Sequence, residues 1–239
     1  MTGSGPVIPN FGHGSSCVVN NDLFCPEWVR DNWSSVLQPA LVQHIKLTLV
    51  AVGIGFAIAF CAALLARRIR GVEAPFSLVS AFLYTIPSLA LFQLLVPVTG
   101  LTTTTVEVAL VGYTLLILFR NTLAGLRAVP EDVREAARGM GLTGRQILWR
   151  VELPLALPSI FAGLRIAVVT TISLATIAAF VIDEGLGQPI FIAIQDDIFK
   201  TELFVTAALA VGLALAADAI LVLTQRALTP WARARAKTT

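Results

Sequence analysis

The sequence predicts an all-α membrane protein of about five transmembrane helices, with a short helical loop between two of them on the cytoplasmic side. Three observations carry this prediction. Of the 239 residues, 56% are hydrophobic and only 13% are charged, and the mean hydropathy is +0.80. A soluble domain carries about 25% charged residues, so the chain lacks the charge that a soluble surface needs. That excludes a disordered chain, a nucleic-acid binder and an ordinary cytosolic enzyme. The apolar residues also come in continuous runs, whereas barrel strands alternate polar and apolar positions. Finally, the positive charge is sorted to one side of those runs.

The first 40 or so residues hold no apolar run and read as neither a signal peptide nor a span. Pro6, Pro9 and several glycines make a loose start. Residues 26–41 (PEWVRDNWSSVLQPAL) then read as a short interfacial helix, with Trp28 and Trp33 at headgroup depth. Cys17 and Cys25 share this outer segment, where a disulfide is permitted, although spacing alone does not establish one. Cys61 falls inside the first span and reads as a packing residue.

The five spans are Leu47–Ala66, Pro75–Val98, Leu101–Leu123, Pro158–Ile182 and Leu203–Gln225. The third is the weakest, with Glu107 and Arg120 near its ends. Placing 124–157 in the cytoplasm puts the 67–75 loop and the C-terminal tail on the same side. Arg67, Arg68, Arg70, Arg120, Arg127, Arg134, Arg138, Arg145, Arg150, Arg226, Arg233, Arg235 and Lys237 then lie there, 13 of the 17 basic residues. The expected organisation is an outer N-terminal tail (1–40), a transmembrane domain (41–228) and a cytoplasmic tail (229–239), in the inner membrane with the N-terminus outside.

Pro87 interrupts the second span and predicts a bend, with Thr85 and Ser88 able to satisfy freed backbone groups. Tyr84, Thr85, Pro87 and Ser88 are either part of a translocation path or an ordinary kink. Arg165 and Asp218 are intramembrane charges, each about 10–12 Å deep from the cytoplasmic side. They form an ion pair or separately line a hydrated pathway. The stretch 185–200 reads as an outer loop with a short helix, Asp196 and Asp197 facing water. Those aspartates and the isolated His13 and His44 make no metal site. No phosphate-cradling loop or hydrolase motif occurs, so the chain is expected to bind no cofactor and to be no enzyme.

The 124–158 segment is the most informative. Pro130 suits a first helical position, and Glu131 and Asp132 complement the helix dipole. The helix is expected to stop near Met140 with Gly141 left-handed. Thr143 and Gln146 form a capping box for a second helix, expected to end by Leu153 because Pro154 follows. This stretch resembles the coupling loop of binding-protein-dependent ABC importer permeases. The pattern is Glu135-Ala136-Ala137, three residues, Gly141, nine residues, then Val151-Glu152-Leu153-Pro154. It departs from the family pattern only at Val151, where the family has Ile.

The chain looks closest to the osmoprotectant branch, importers of glycine betaine, carnitine and choline. The stretches 44–49 (HIKLTL), 84–90 (YTIPSLA), 120–122 (RNT), 146–158 (QILWRVELPLALP) and 173–180 (SLATIAAF) before Gly185-Leu186-Gly187 carry this likeness. Asp183-Glu184 stand where the family more often has small residues.

The resemblance implies a MetI-like permease fold, with ATPase subunits docking on 130–154 and holding ATP and magnesium. It also implies a second permease, identical or related, and an extracytoplasmic substrate-binding protein. Trp28, Trp33, Trp149 and Trp231 all lie outside the spans, so recognition of a quaternary ammonium by an aromatic cage falls to that binding protein. Three other readings stay open. They are an ABC permease for another small polar solute such as an amino acid, an ion-driven transporter with Asp218 as proton carrier, and a non-transporting scaffold.

Overall fold

The computed structural model describes residues 15–69, 71–195 and 198–231. The readings made for the loose N-terminal start, His13, Arg70, Asp196, Asp197, Arg233, Arg235 and Lys237 lie outside the described residues. Among the described residues the structure is helical, with no strand. A single turn, α1 (Ser16–Val19), precedes α2 (Pro26–Arg68), α3 (Glu73–Thr85), α4 (Ser88–Thr99) and α5 (Thr103–Arg127). Then come α6 (Glu131–Gly139), α7 (Gly144–Phe180), α8 (Gly187–Gln195) and α9 (Lys200–Leu228). Helices α2, α5, α7 and α9 are each long and apolar enough to cross a membrane, and α3 with α4 makes a fifth, broken candidate.

Two helices run further than proline rules suggest. The short interfacial helix expected over 26–41 is instead the N-terminal part of α2, and the helix expected to stop before Pro154 continues through it as α7. In both cases a π turn stands just before the proline, Trp33–Leu37 before Pro39 and Leu148–Glu152 before Pro154. Gln38 donates its N–H to the Trp33 carbonyl and Leu153 donates to Leu148, each five residues back. The wider turn moves the carbonyl that the proline ring would strike, and proline itself has no N–H to place.

The break at Pro87 is more than the expected bend. Ile86 and Pro87 are extended, and α3 and α4 meet at 102°. The freed Ile86 carbonyl accepts the Tyr113 hydroxyl, and Thr85 donates to the Phe82 carbonyl. Tyr113 was the partner that local sequence could not supply.

Helix α5, the span weakest by hydropathy, is the centre of the bundle. Its apolar window is 56% buried, against 11% for α9. Helices shielded from lipid need less apolar surface, which is why Thr105, Thr114 and Thr122 are tolerated there at 1% exposure or less. Three packed layers follow α5 along its length. Val106, Leu110 and Tyr113 meet Leu91 and Phe92; Leu118 and Phe119 meet Ala59 and Ala63; Leu126 meets Leu148, Leu153 and Ile160. Small residues allow the close crossings. A Cβ on Gly55 would lie 1.9 Å from Thr114 Oγ1, and one on Gly163 would lie 2.6 Å from Asn121 Cβ.

A candidate coupling loop and its anchors

The loop between α5 and α7 folds as two helices joined by a left-handed glycine. Pro130 is the residue before α6 and not its first residue, with extended dihedrals. At the other end Gly141 has φ +80°, Leu142 N–H donates to the Ala137 carbonyl and Gly141 N–H donates to Arg138. This pair of bonds is a Schellman stop. Thr143 accepts from the Gln146 N–H at 3.4 Å, and Gln146 Oε1 accepts from the Thr143 N–H at 2.8 Å, which completes the capping box. On α6, Ala137 faces inward at 2% exposure, while Glu135, Ala136 and Met140 are exposed. One side of α6 is thus exposed.

What holds α6 to the bundle is a residue that sequence reasoning passed over. The Glu152 side chain is fully buried inside the π turn. Its Oε1 accepts from Arg67 Nη2 at 2.5 Å and lies 3.0 Å from Arg134 Nε. Arg134 also donates to the Leu126 carbonyl and to Glu131. One carboxylate therefore joins the end of α2, α6 and the start of α7. A second clamp, Arg127 to both oxygens of Glu73, joins the end of α5 to the start of α3. Outside the spans, the Arg134 hydrogen bond holds the Glu131 carboxyl below the ordinary glutamate range, and the charge of Arg138 adds to this.

Deeper in the bundle, Arg165 of α7 meets Asp218 of α9. Nε lies 2.7 Å from Oδ1 and Nη2 lies 3.0 Å from Oδ2, a bidentate pair. Tyr84, Thr85, Pro87 and Ser88 sit at the α3–α4 break, level with Tyr113 and about 20 Å along α5 from Arg127. The Tyr84 and Tyr113 rings are 6.1 Å apart, edge to face. The structure does not bring this group to the coupling loop.

Before the N-terminal end of α2, Cys17 and Cys25 are bonded, and the closed loop grips the start of α9. Asn21 accepts from the Lys200 N–H and donates to the Ile198 carbonyl, and Thr201 donates to the Asp22 carbonyl. His44, unpartnered in sequence, is fully buried. Its Nδ1 accepts from the Leu186 N–H, so Nε2 carries the proton and donates to the Ile172 carbonyl. Gln43 accepts from the Gly185 N–H beside it. Residues 185–187 are thereby tied to α2. Among the described residues no His, Cys, Asp and Glu cluster has metal-ligand spacing.

The fold and the site define a helical bundle of candidate membrane spans with a two-helix loop at its arginine-rich end. Residues 51–233 match the family model described as binding-protein-dependent transport system inner membrane component, and the chain belongs to that family.

The glycine betaine/carnitine/choline transport system permease protein OpuCB of Bacillus subtilis (strain 168) is 34% identical over 79% of this chain and 86% of its own length. The choline transport system permease protein OpuBB of the same organism is 34% identical over 82% and 89%. The osmoprotectant import permease protein OsmW of Salmonella typhimurium is 38% identical over 67% and 76%. In fold, the chain is similar to a subunit of the inward-facing MetNI methionine ABC transporter, with TM-score 0.70 and 23% identity, covering 81% of this chain and 96% of that one.

The chain is thus a multi-pass inner-membrane permease component, and its fold is that of the MetI-like permeases.

Proposed function

We propose that the chain is the permease subunit of an ABC importer for quaternary ammonium osmoprotectants such as glycine betaine, carnitine and choline. The single observation that carries the coupling part is the loop itself: Glu135 and Ala136 exposed on α6, between a Schellman stop and a buried Glu152 anchor. The names of OpuCB, OpuBB and OsmW support the substrate class. In this reading two ATPase subunits, which hold ATP and magnesium, dock on α6. A second permease, identical or related, completes the path, and an external binding protein delivers the solute. The arginine-rich end of the bundle is cytoplasmic and the disulfide-closed loop is outside.

Closure of the ATPases would push α6, and Glu152 would pass the movement to α2 and α7 together. The α3–α4 break, with Tyr84, Thr85, Pro87 and Ser88, lines the path. Asp218 serves as the partner of Arg165 and not as a proton carrier, since both of its oxygens are already engaged. Reconstituted complex should take up glycine betaine only with ATP and binding protein present. Uptake driven by a proton gradient without ATP would overturn the reading.

A further inference from the structure

At the arginine-rich end of the bundle, α2 and the first turns of α7 enclose a groove that neither the coupling face nor the Glu152 anchor uses. Its cavity is about 470 Å³ and is lined by the apolar Leu64, Leu65, Leu148 and Trp149 and by the basic Arg68 and Arg145. No Asp or Glu lines it. Arg67, Arg127, Arg134 and Arg138 each hold a carboxylate. The side chains of Arg68 and Arg145 make no hydrogen bond or ion pair among the described residues. The apolar part continues into the span. Leu65 lies three residues before Arg68, about 4.5 Å along α2, and is 47% exposed, while Trp149 is 55% exposed.

We propose that this groove binds an anionic phospholipid, its phosphodiester between Arg68 and Arg145 and an acyl chain along Leu64, Leu65 and Leu148. Charge complementarity selects the headgroup, because two uncompensated guanidiniums match a phosphate fork. The apolar walls select a lipid over a soluble anion, because Leu64 and Leu65 continue the apolar run of α2. Arg145 follows the Thr143 cap by two residues, so the bound lipid braces the second helix of the coupling loop against α2. The site rests on the bundle's placement in the membrane and not on which solute is carried.

The test uses the whole transport complex in nanodiscs, titrated with dioleoylphosphatidylglycerol and with dioleoylphosphatidylcholine, with retained lipid read by native mass spectrometry. The R68Q/R145Q double variant should bind the glycerol lipid about 30-fold more weakly than wild type. R68K/R145K should keep most of the binding, and Arg120→Gln, an exposed arginine away from the groove, should bind as wild type does. Equal binding of phosphatidylglycerol by wild type and R68Q/R145Q would overturn the proposal. So would displacement by millimolar inorganic phosphate, which would mark a soluble-anion site, or loss of the lipid whenever the ATPase is docked, which would mark a protein contact.

Discussion

Glu152 and His44 show how single polar residues hold this bundle together. Glu152 sits beside a motif proline and looks like one more charge of a solvated loop, yet its carboxylate is sealed between Arg67 and Arg134. Breaking a buried ion pair by removing one partner strands the other charge. Glu152→Leu should therefore cost on the order of 3 kcal/mol, measured as a lower melting temperature of the purified permease. Glu152→Asp, which keeps the charge but shortens the reach, should lose less. An unchanged melting temperature for Glu152→Leu would show that the arginines find other partners. Neither role was legible beforehand, because Arg67 is 85 residues away from Glu152, and the Leu186 N–H is 142 residues away from His44. Arg165 and Asp218 were legible because a charge inside an apolar run is conspicuous wherever its partner lies.

At the scale of elements, α6 and its glycine stop are the most exactingly built part of the chain. Gly141 sits at φ +80°, where a side chain costs about 1–2 kcal/mol. A valine there would misdirect the second helix. Gly141→Val should leave ATP hydrolysis by the assembled complex largely intact while uptake falls several-fold, read as solute moved per ATP. Equal loss of both activities would mean that the complex no longer assembles.

The same helix has a defined pH response. Folding lowers the Glu131 pKa through Arg134 and Arg138, so its contribution is complete above the ordinary glutamate value of about 4.3 and fades as pH falls through the lowered value. Hydrogen exchange across 131–139 should stay constant from pH 8 to pH 5 in wild type, after correction for intrinsic rates, and rise only in stronger acid. In Glu131→Gln the protection should be reduced already at neutral pH.

The two loop helices were legible from caps and glycine, since those signals are local. The continuation of helices through Pro39 and Pro154 was not, because a π turn overrides the proline rule only when the flanking helix is held by tertiary packing.

For the whole molecule, the decisive fact is the uneven attachment of α9. Its apolar window is only 11% buried, while α5 is wrapped by its neighbours. In lipid the apolar face of α9 gains little by touching the bundle, so polar contacts and close packing carry the association. Two stand out. The disulfide-closed loop grips the N-terminal end of α9 through Asn21, Asp22 and Thr201, with Trp28 packed edge-on against Phe199 at 5.4 Å. The Arg165–Asp218 pair pins the helix further in. Opening this grip with a Cys17→Ser/Cys25→Ser variant should raise hydrogen exchange at 198–203 and leave the C-terminal half of α9 protected. Neutralising either Arg165 or Asp218 leaves a lone charge against lipid or a hydrated path, and uptake should fall sharply in each. The swapped variant, Arg165→Asp with Asp218→Arg, restores opposite charges at the same contact and should recover a measurable part of the lost uptake. If the swap transports no better than either single neutralisation, the two residues act separately, and the hold on α9 must lie in its packing against α7 and in the disulfide-closed loop alone.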